Sequence, residues 1–156
     1  LYTQHVRAGE RKLFGWQGTP ICHPDLVRQF DLKEPRDLQR VLLIDLKTPL
    51  DLWEAWFAAS GLSYGEFPNR LLVDSQALMY EAVMQKVGVS IATTFFSQHY
   101  MKLGLVRPFR QVCDFRGGMY INAETPDEPA MVKTFREWLV REVDLTAQQI
   151  VAERAG

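Results

Sequence analysis

No run of apolar residues in this sequence approaches the roughly 20 that a membrane-spanning helix requires, and no signal-peptide pattern is present. No membrane partner is expected, and the cytoplasm is the expected location. Cysteine is scarce: Cys22 and Cys113 stand far apart and outside any CxxC motif. The simplest reading is two reduced, partly buried thiols in a cytosolic protein. A redox pair near a hinge between lobes is the alternative. The three histidines, His5, His23 and His99, show no metal-ligand spacing, and Cys22-His23 has no second pair to complete a site. Neither a metal nor a cofactor is expected. A surplus of one charge is missing as well. With 18 basic and 19 acidic residues the net charge is -1, which argues against DNA binding through this segment's overall electrostatics. The catalytic signatures GxSxG, GxGxxG, HExxH and the P-loop are absent. Asp45, Asp74 and His99 could be recruited into an acid–base set, but their spacing has no specificity, and surface or capping roles account for them more simply. The chain is not expected to be an enzyme. It opens on Leu1 rather than Met, as a fragment or processed product would.

What is present is an ordinary globular balance. Hydrophobic residues make up 47% and charged residues 24% of the 156, which suits one domain or two small lobes. The most organised stretch is Arg70 to Phe96. Arg70 to Val73 reads as a short strand and Gln76 to Lys86 as a helix ended by Gly88. Val89 to Ala92 reads as a second strand, followed by Thr93-Thr94. A strand, helix and strand in succession form a βαβ unit, which needs a parallel sheet. Such sheets bind ligands outside the carboxyl ends of their strands. Asp74-Ser75 and Thr93-Thr94 both fall at those ends and belong on one edge.

The remaining pattern extends this α/β reading. Leu13 to Gln17 and Thr19 to Cys22 read as two short strands, with Gly15 and Gly18 marking a bulge or a close backbone approach. Pro24 opens a helix to about Phe30, and Pro35 to Arg40 forms a further helical turn. Val41 to Ile44 is a strand buried on both faces. Thr48 is placed to cap a helix with Pro49 at its first position, and Leu52, Trp53, Trp56 and Phe57 share its apolar face. Phe95 to Leu103 reads as another helix and Leu105-Val106 as a strand stub. Val112 to Phe115 and Met119 to Ala123 are strand-like, and Gly117-Gly118 has the form of a hairpin turn. Thr125, Pro126 and Glu128 have the form of a capping box before a last helix to about Val143. Its stripe of Met131, Phe135, Trp138 and Leu139 reads as core. The whole is α/β, a mostly parallel sheet flanked by helices.

Each candidate site residue has two readings. Asp74-Ser75 is an N-cap, or else Ser75, Gln76 and the free N–H groups of the first turn bind a carboxylate or other polar group. One of the two can cap while the other faces ligand. Lys47-Thr48 makes a similar site, although a lone loop lysine is usually solvated. Thr93-Thr94 cap the next helix or line the cleft. Tyr120 is a half-buried strand residue or a ligand contact. Trp53, Trp56 and Trp138 are core by spacing. Three helix N-termini converging on one edge point to a small-molecule site more than to catalysis.

The order of motifs resembles the effector-sensing domain of LysR-type transcriptional regulators. Pro20-Ile21-Cys22-His23-Pro24 resembles the crossover strand "PVCSP". Asp37-Leu38 with Val41-Leu42-Leu43 resembles "DL…LL", and Trp53 to Gly61 resembles "W..WL.AAG". Asp74-Ser75, Ala77-Leu78, Ala82-Val83 and Gly88 to Ala92 resemble "SS.ALQAA..G.GVAL". Leu103 to Phe109 resembles "AAGRLVRPF", and Phe135 to Leu139 resembles "FRDWL". The branch that activates glycine-cleavage or β-lactamase genes looks most similar. The resemblance implies a periplasmic-binding-protein-like fold of two lobes joined by two crossover strands, with a small polar effector between them. It places effector contacts at Lys47, Thr48, Ser75, Gln76, Thr93 and Thr94, with Tyr120 as a further candidate. It implies a second lobe over residues 19–108, a return crossover and part of the first lobe over 109–143, and a polar tail over 144–156. Residues 1–18 would be a remnant of an incomplete first lobe. The implied partners are promoter DNA through an absent winged helix-turn-helix, RNA polymerase, and further copies in a homodimer or homotetramer. A free-standing solute-binding module without a regulatory role is the alternative.

Overall fold

The computed structural model of the protein describes residues 10–47, 51–122 and 125–155. The chain divides into a larger unit, residues 17–115, and a smaller one made of residues 1–16 and 116–156. Five strands form one sheet: β1 (Arg11–Ile21), β2 (Leu43–Leu46), β3 (Arg70–Val73), β4 (Val89–Thr93) and β5 (Cys113–Ile121), in the order β3-β2-β4-β1-β5. β2 runs parallel to both β3 and β4, and β1 runs antiparallel to β4, so the sheet is mixed. The helices are α1 (Pro24–Phe30), α2 (Leu52–Ala59), α3 (Gln76–Met84), α4 (Gln98–Lys102) and α5 (Ala130–Ala155), with a 3-10 turn at Pro35–Arg40. Among the described residues no helix is long and apolar enough to cross a membrane.

In the larger unit, α3 packs on the sheet through Met79, Tyr80 and Val83, which share a buried cluster with Ile21, Ile44, Val73, Ala92 and Leu105. Ala82 and Met84, partly buried, pack against the same cluster, while Leu78 of α3 is exposed. α2 supplies a second cluster. Trp53, Trp56 and Phe57 are buried, Phe57 stacks on Phe67 with ring centroids 3.8 Å apart, and the Trp53 indole N–H donates to the Ile44 carbonyl at 3.1 Å. That bond ties α2 to β2 while satisfying a polar group that burial would otherwise penalise.

Several local expectations change. The two short N-terminal strands are one continuous β1. Gly18 serves a close approach, since a Cβ there would meet the Phe115 ring at 2.5 Å and the Ala92 carbonyl oxygen at 2.9 Å. Gly117-Gly118 makes no hairpin. β5 runs straight through it, and Gly118 lets the strand pass the Phe14 carbonyl oxygen, where a Cβ would collide. α3 ends at Met84, with Lys86 in the left-handed region at φ 64°; Gly88 is instead pressed against the Leu42 carbonyl oxygen. β2 starts at Leu43, later than the apolar run suggested, and α2 starts at Leu52. The turn at Thr125 precedes α5 rather than capping it, and α5 continues through residues 144–155.

The largest correction concerns Trp138. Met131 is 82% exposed, Phe135 56% and Trp138 46%, so this stripe is not core. Helical spacing determines which side chains share a face but not whether another element covers that face. A second side of α5 is anchored: Val143 and Ile150 are buried, and the Arg136 guanidinium pairs with Glu128 and donates to the Asn122 carbonyl.

Candidate functional site

The site follows from strand direction. Because β3 and β4 both run parallel to β2, the carboxyl ends of all three open on one edge of the larger unit. Leu46 pairs with Val73, so Lys47 and Asp74 leave their strands side by side, and the Lys47 N–H donates to the Val73 carbonyl at 2.7 Å. Ser75 and Thr93 are separated by the width of β2, about 10 Å at usual strand spacing. Thr48 lies outside the described residues.

Ser75 is the N-cap of α3. Its hydroxyl oxygen accepts from the Leu78 N–H at 3.4 Å, and its carbonyl accepts from the Met79 N–H at 2.9 Å. Of the Asp74-Ser75 pair it is therefore Ser75 that caps. A hydroxyl that accepts at a cap still has a proton to donate. Gln76, half-buried, opens the first turn beside it. Asp74 is exposed.

Thr93 closes β4 opposite Gly18 of β1. It is 8% exposed. Its carbonyl accepts from the Ser97 N–H at 3.0 Å, but its hydroxyl has no hydrogen-bond partner among the described residues. Ser90, three residues earlier on the same strand, is buried too, and its hydroxyl donates to the Ile44 carbonyl at 2.8 Å. Thr94 is buried and fully occupied through its backbone. Its N–H donates to the Gln17 carbonyl at 2.7 Å, and its carbonyl accepts from the Ser97 hydroxyl and from the Gln98 amide.

Two residues at this edge escaped the sequence reading. Gln17 carries the carbonyl that holds Thr94, and its side-chain amide donates to Asp114 at 2.7 Å. The signal that finds them is the place of β1 between β4 and β5 in the sheet, which local patterning does not contain. Tyr120 lies half-buried on β5 in the smaller unit. Lys47 is exposed and lines a cavity of about 540 Å³ with Leu71, Leu72, Asp74, Leu78 and Val87; among the described residues none of the other candidate contacts lines it.

Titratable groups elsewhere are in structural use. Asp45 accepts from the Tyr64 hydroxyl at 2.6 Å. Burial, then Asp45, holds the phenol well above its ordinary range, and Arg70 lies over the ring at 3.7 Å. Burial pushes the Cys22 thiol up to about 12, and both cysteines are free. Among the described residues no group of three or more His, Cys, Asp or Glu is placed to hold a metal ion.

A mixed sheet flanked by helices, with its polar residues gathered at the carboxyl ends of parallel strands, is the periplasmic-binding-protein-like architecture of an effector-sensing domain. More narrowly, the chain belongs to the LysR substrate binding domain family, whose model matches residues 4–144. It is 26% identical over 125 residues to the HTH-type transcriptional activator AmpR of Yersinia enterocolitica, a match covering 79% of this chain and 42% of that protein. It is 25% identical over 132 residues to the glycine cleavage system transcriptional activator of Escherichia coli K12, covering 83% of this chain and 43% of that protein. Among solved structures, the effector domain of AmpR from Pseudomonas aeruginosa superposes with a TM-score of 0.75 at 26% identity, covering 94% of this chain and 71% of that one. The chain thus spans about two fifths of the length of the curated relatives it matches. Both of those relatives are transcriptional activators.

Proposed function

We propose that this chain is the effector-sensing domain of a LysR-type transcriptional regulator and binds a small polar metabolite or short peptide at the Ser75–Thr93 edge. The observation that carries this reading is the Thr93 hydroxyl, buried at the carboxyl end of a parallel strand without a partner among the described residues. An unmet buried hydroxyl costs about 1–3 kcal/mol, and a ligand with a matching donor or acceptor recovers that cost on binding. Ser75 and Gln76 add the first turn of α3, which favours a carboxylate or another electron-rich group. Lys47, Thr48 and Thr94 complete the proposed set of contacts in the larger unit; Tyr120, in the smaller unit, is a separate candidate. Binding then changes the protein's state only to the extent that its two arrangements differ in affinity.

In this reading promoter DNA is bound by a winged helix-turn-helix carried outside this chain, and RNA polymerase is the partner of an activator. Self-association has support from the sheet's edge. β3 is an outer strand, and Leu71, Leu72, Leu78 and Val87 lie exposed around it. An apolar, unpaired edge is a pairing surface, and we assign it to a homodimer or to the homotetramer built from one.

The test begins with a thermal-shift screen of amino acids, dicarboxylates and short peptides. The ligand found is then titrated calorimetrically into the parent chain, Ser75→Ala and Thr93→Ala. The expected result is at least about a tenfold loss of affinity, the equivalent of 1.4 kcal/mol, for Thr93→Ala. Unchanged affinity in both variants removes the site from this edge.

A further inference from the structure

We propose that Gln111, which lies outside the Ser75–Thr93 edge, is a positioning residue for it: Gln111 clamps α2 to β1, and β1 in turn holds the Thr93–Thr94 end of β4. Its role in sensing rests on the effector reading of that edge.

Gln111 stands two residues before β5, in no helix or strand. Three side chains from distant parts of the larger unit converge on it. The Thr19 hydroxyl of β1 donates to its carbonyl at 2.9 Å. The Trp56 indole N–H of α2 donates to the same carbonyl, a long bond at 3.5 Å. Its side-chain amide meets the hydroxyl of Ser60, the residue that closes α2, at 3.0 Å. That hydroxyl is shared with the Trp56 carbonyl, also at 3.0 Å. A carbonyl oxygen has two lone pairs. Both lone pairs on Gln111 serve groups whose burial would otherwise be costly, since Thr19 and Trp56 are fully buried.

The Ile44 carbonyl is used in the same way. It accepts from the Trp53 indole N–H at 3.1 Å and from the Ser90 hydroxyl of β4 at 2.8 Å. Each tryptophan of α2 is thus held by a carbonyl that also holds a strand hydroxyl. Ile44 ties the helix to β4, and Gln111 ties it to β1.

β1 carries the connection on to the edge. Thr19 adjoins Gly18, which pairs with Thr93. It lies two residues from Gln17, whose carbonyl accepts from the Thr94 N–H at 2.7 Å. A tilt of β1 at Thr19 therefore moves the backbone that aims the Thr93 hydroxyl. A binding group keeps its geometry only when its own supports are locked.

The test is amide hydrogen exchange of the ligand-free chain, followed by nuclear magnetic resonance, which separates a failed clamp from an edge that binds nothing. The Thr94 N–H reports the edge. The Val89 N–H, bonded to the Leu42 carbonyl at the other end of β4, reports global opening. Thr19→Val should speed Thr94 relative to Val89 by about fivefold, the factor one lost hydrogen bond supplies, and Thr19→Ser should restore the parent rate. Ser60→Ala acts on the far side of Gln111, yet it should speed Thr94 by about threefold, a part of the same factor. Gln111→Met should match it. In the Thr19→Val background Ser60→Ala should add nothing at Thr94, because the shared link is already cut. A Thr94 rate unmoved by Ser60→Ala, or moved equally in both backgrounds, overturns the proposal. So does a Val89 rate that rises in step with that of Thr94.

Discussion

Two helices carry a tryptophan-centred apolar stripe at the same helical spacing, and they end in opposite surroundings. On α2, Trp53, Trp56 and Phe57 are buried among Phe67, Phe109 and Tyr64. On α5, Met131, Phe135 and Trp138 face outward. The difference lies in what stands opposite. α2 meets the sheet through the Trp53–Ile44 bond and meets the loop at Gln111, whose side chain accepts from the Ser60 hydroxyl at 3.0 Å. α5 meets structure on its Val143 side, and its aromatic side is left open. Periodicity therefore reports a face prepared for burial, and only tertiary structure reports whether burial has happened.

The largest expected effect sharpens that contrast. Trp56→Ala should cost about 3–5 kcal/mol, as large aromatic truncations in filled cores do. Trp138→Ala should cost less than about 1 kcal/mol in this chain, as surface changes do. Urea denaturation of the two variants makes the comparison, and equal losses would erase the distinction between the helices.

A second comparison sets the anchors of the two units against each other by pH. In the smaller unit the Arg136 guanidinium, by hydrogen bond and charge, holds the Glu128 carboxyl below its ordinary value of 4.5. In the larger unit the backbone N–H groups of Glu34 and Lys33, followed by Arg40, hold Asp37 below its ordinary 3.8. A carboxylate whose folded value is depressed stabilises fully above its ordinary value, and the contribution disappears as pH falls through the depressed one. Both units should loosen in acid below those ordinary values. Arg136→Met should remove the Glu128 part already at neutral pH, leaving a flatter acid transition for α5 and an unchanged one for the larger unit. Helical circular dichroism followed from pH 7 downward checks this, and an unaltered acid transition in Arg136→Met would remove the pair as the anchor of α5.

Much of this was legible in the sequence, for physical reasons. β3, α3 and β4 could be read because a basic-led apolar run, a capped helix and a β-branched run each carry a local signal, and short connections leave one arrangement for them. That reading also put Ser75 and Thr93 at the same edge. The family itself was legible from six motifs spread between Pro20 and Leu139. What could not be read depended on partners distant in the chain. Gly117-Gly118 has the composition of a turn, and only the Phe14 carbonyl across the sheet shows that it is a close approach. Gln17 and Asp114 come together across 97 positions. The unmet hydroxyl of Thr93 becomes visible only once its neighbour Ser90 is seen to have found Ile44.

That pair of hydroxyls gives the most direct test of the central claim, that Thr93 is held open for a ligand. The measurement is urea denaturation of Ser90→Ala and Thr93→Val in the absence of any small molecule. Ser90→Ala loses a satisfied buried bond and should be less stable than the parent by about 1 kcal/mol. Thr93→Val replaces an unmet hydroxyl with a methyl group of the same shape and should be more stable by a similar amount, about 1 kcal/mol. If Thr93→Val is instead destabilised as Ser90→Ala is, the hydroxyl already has a partner within the protein, and the account of this edge as an effector site is contradicted.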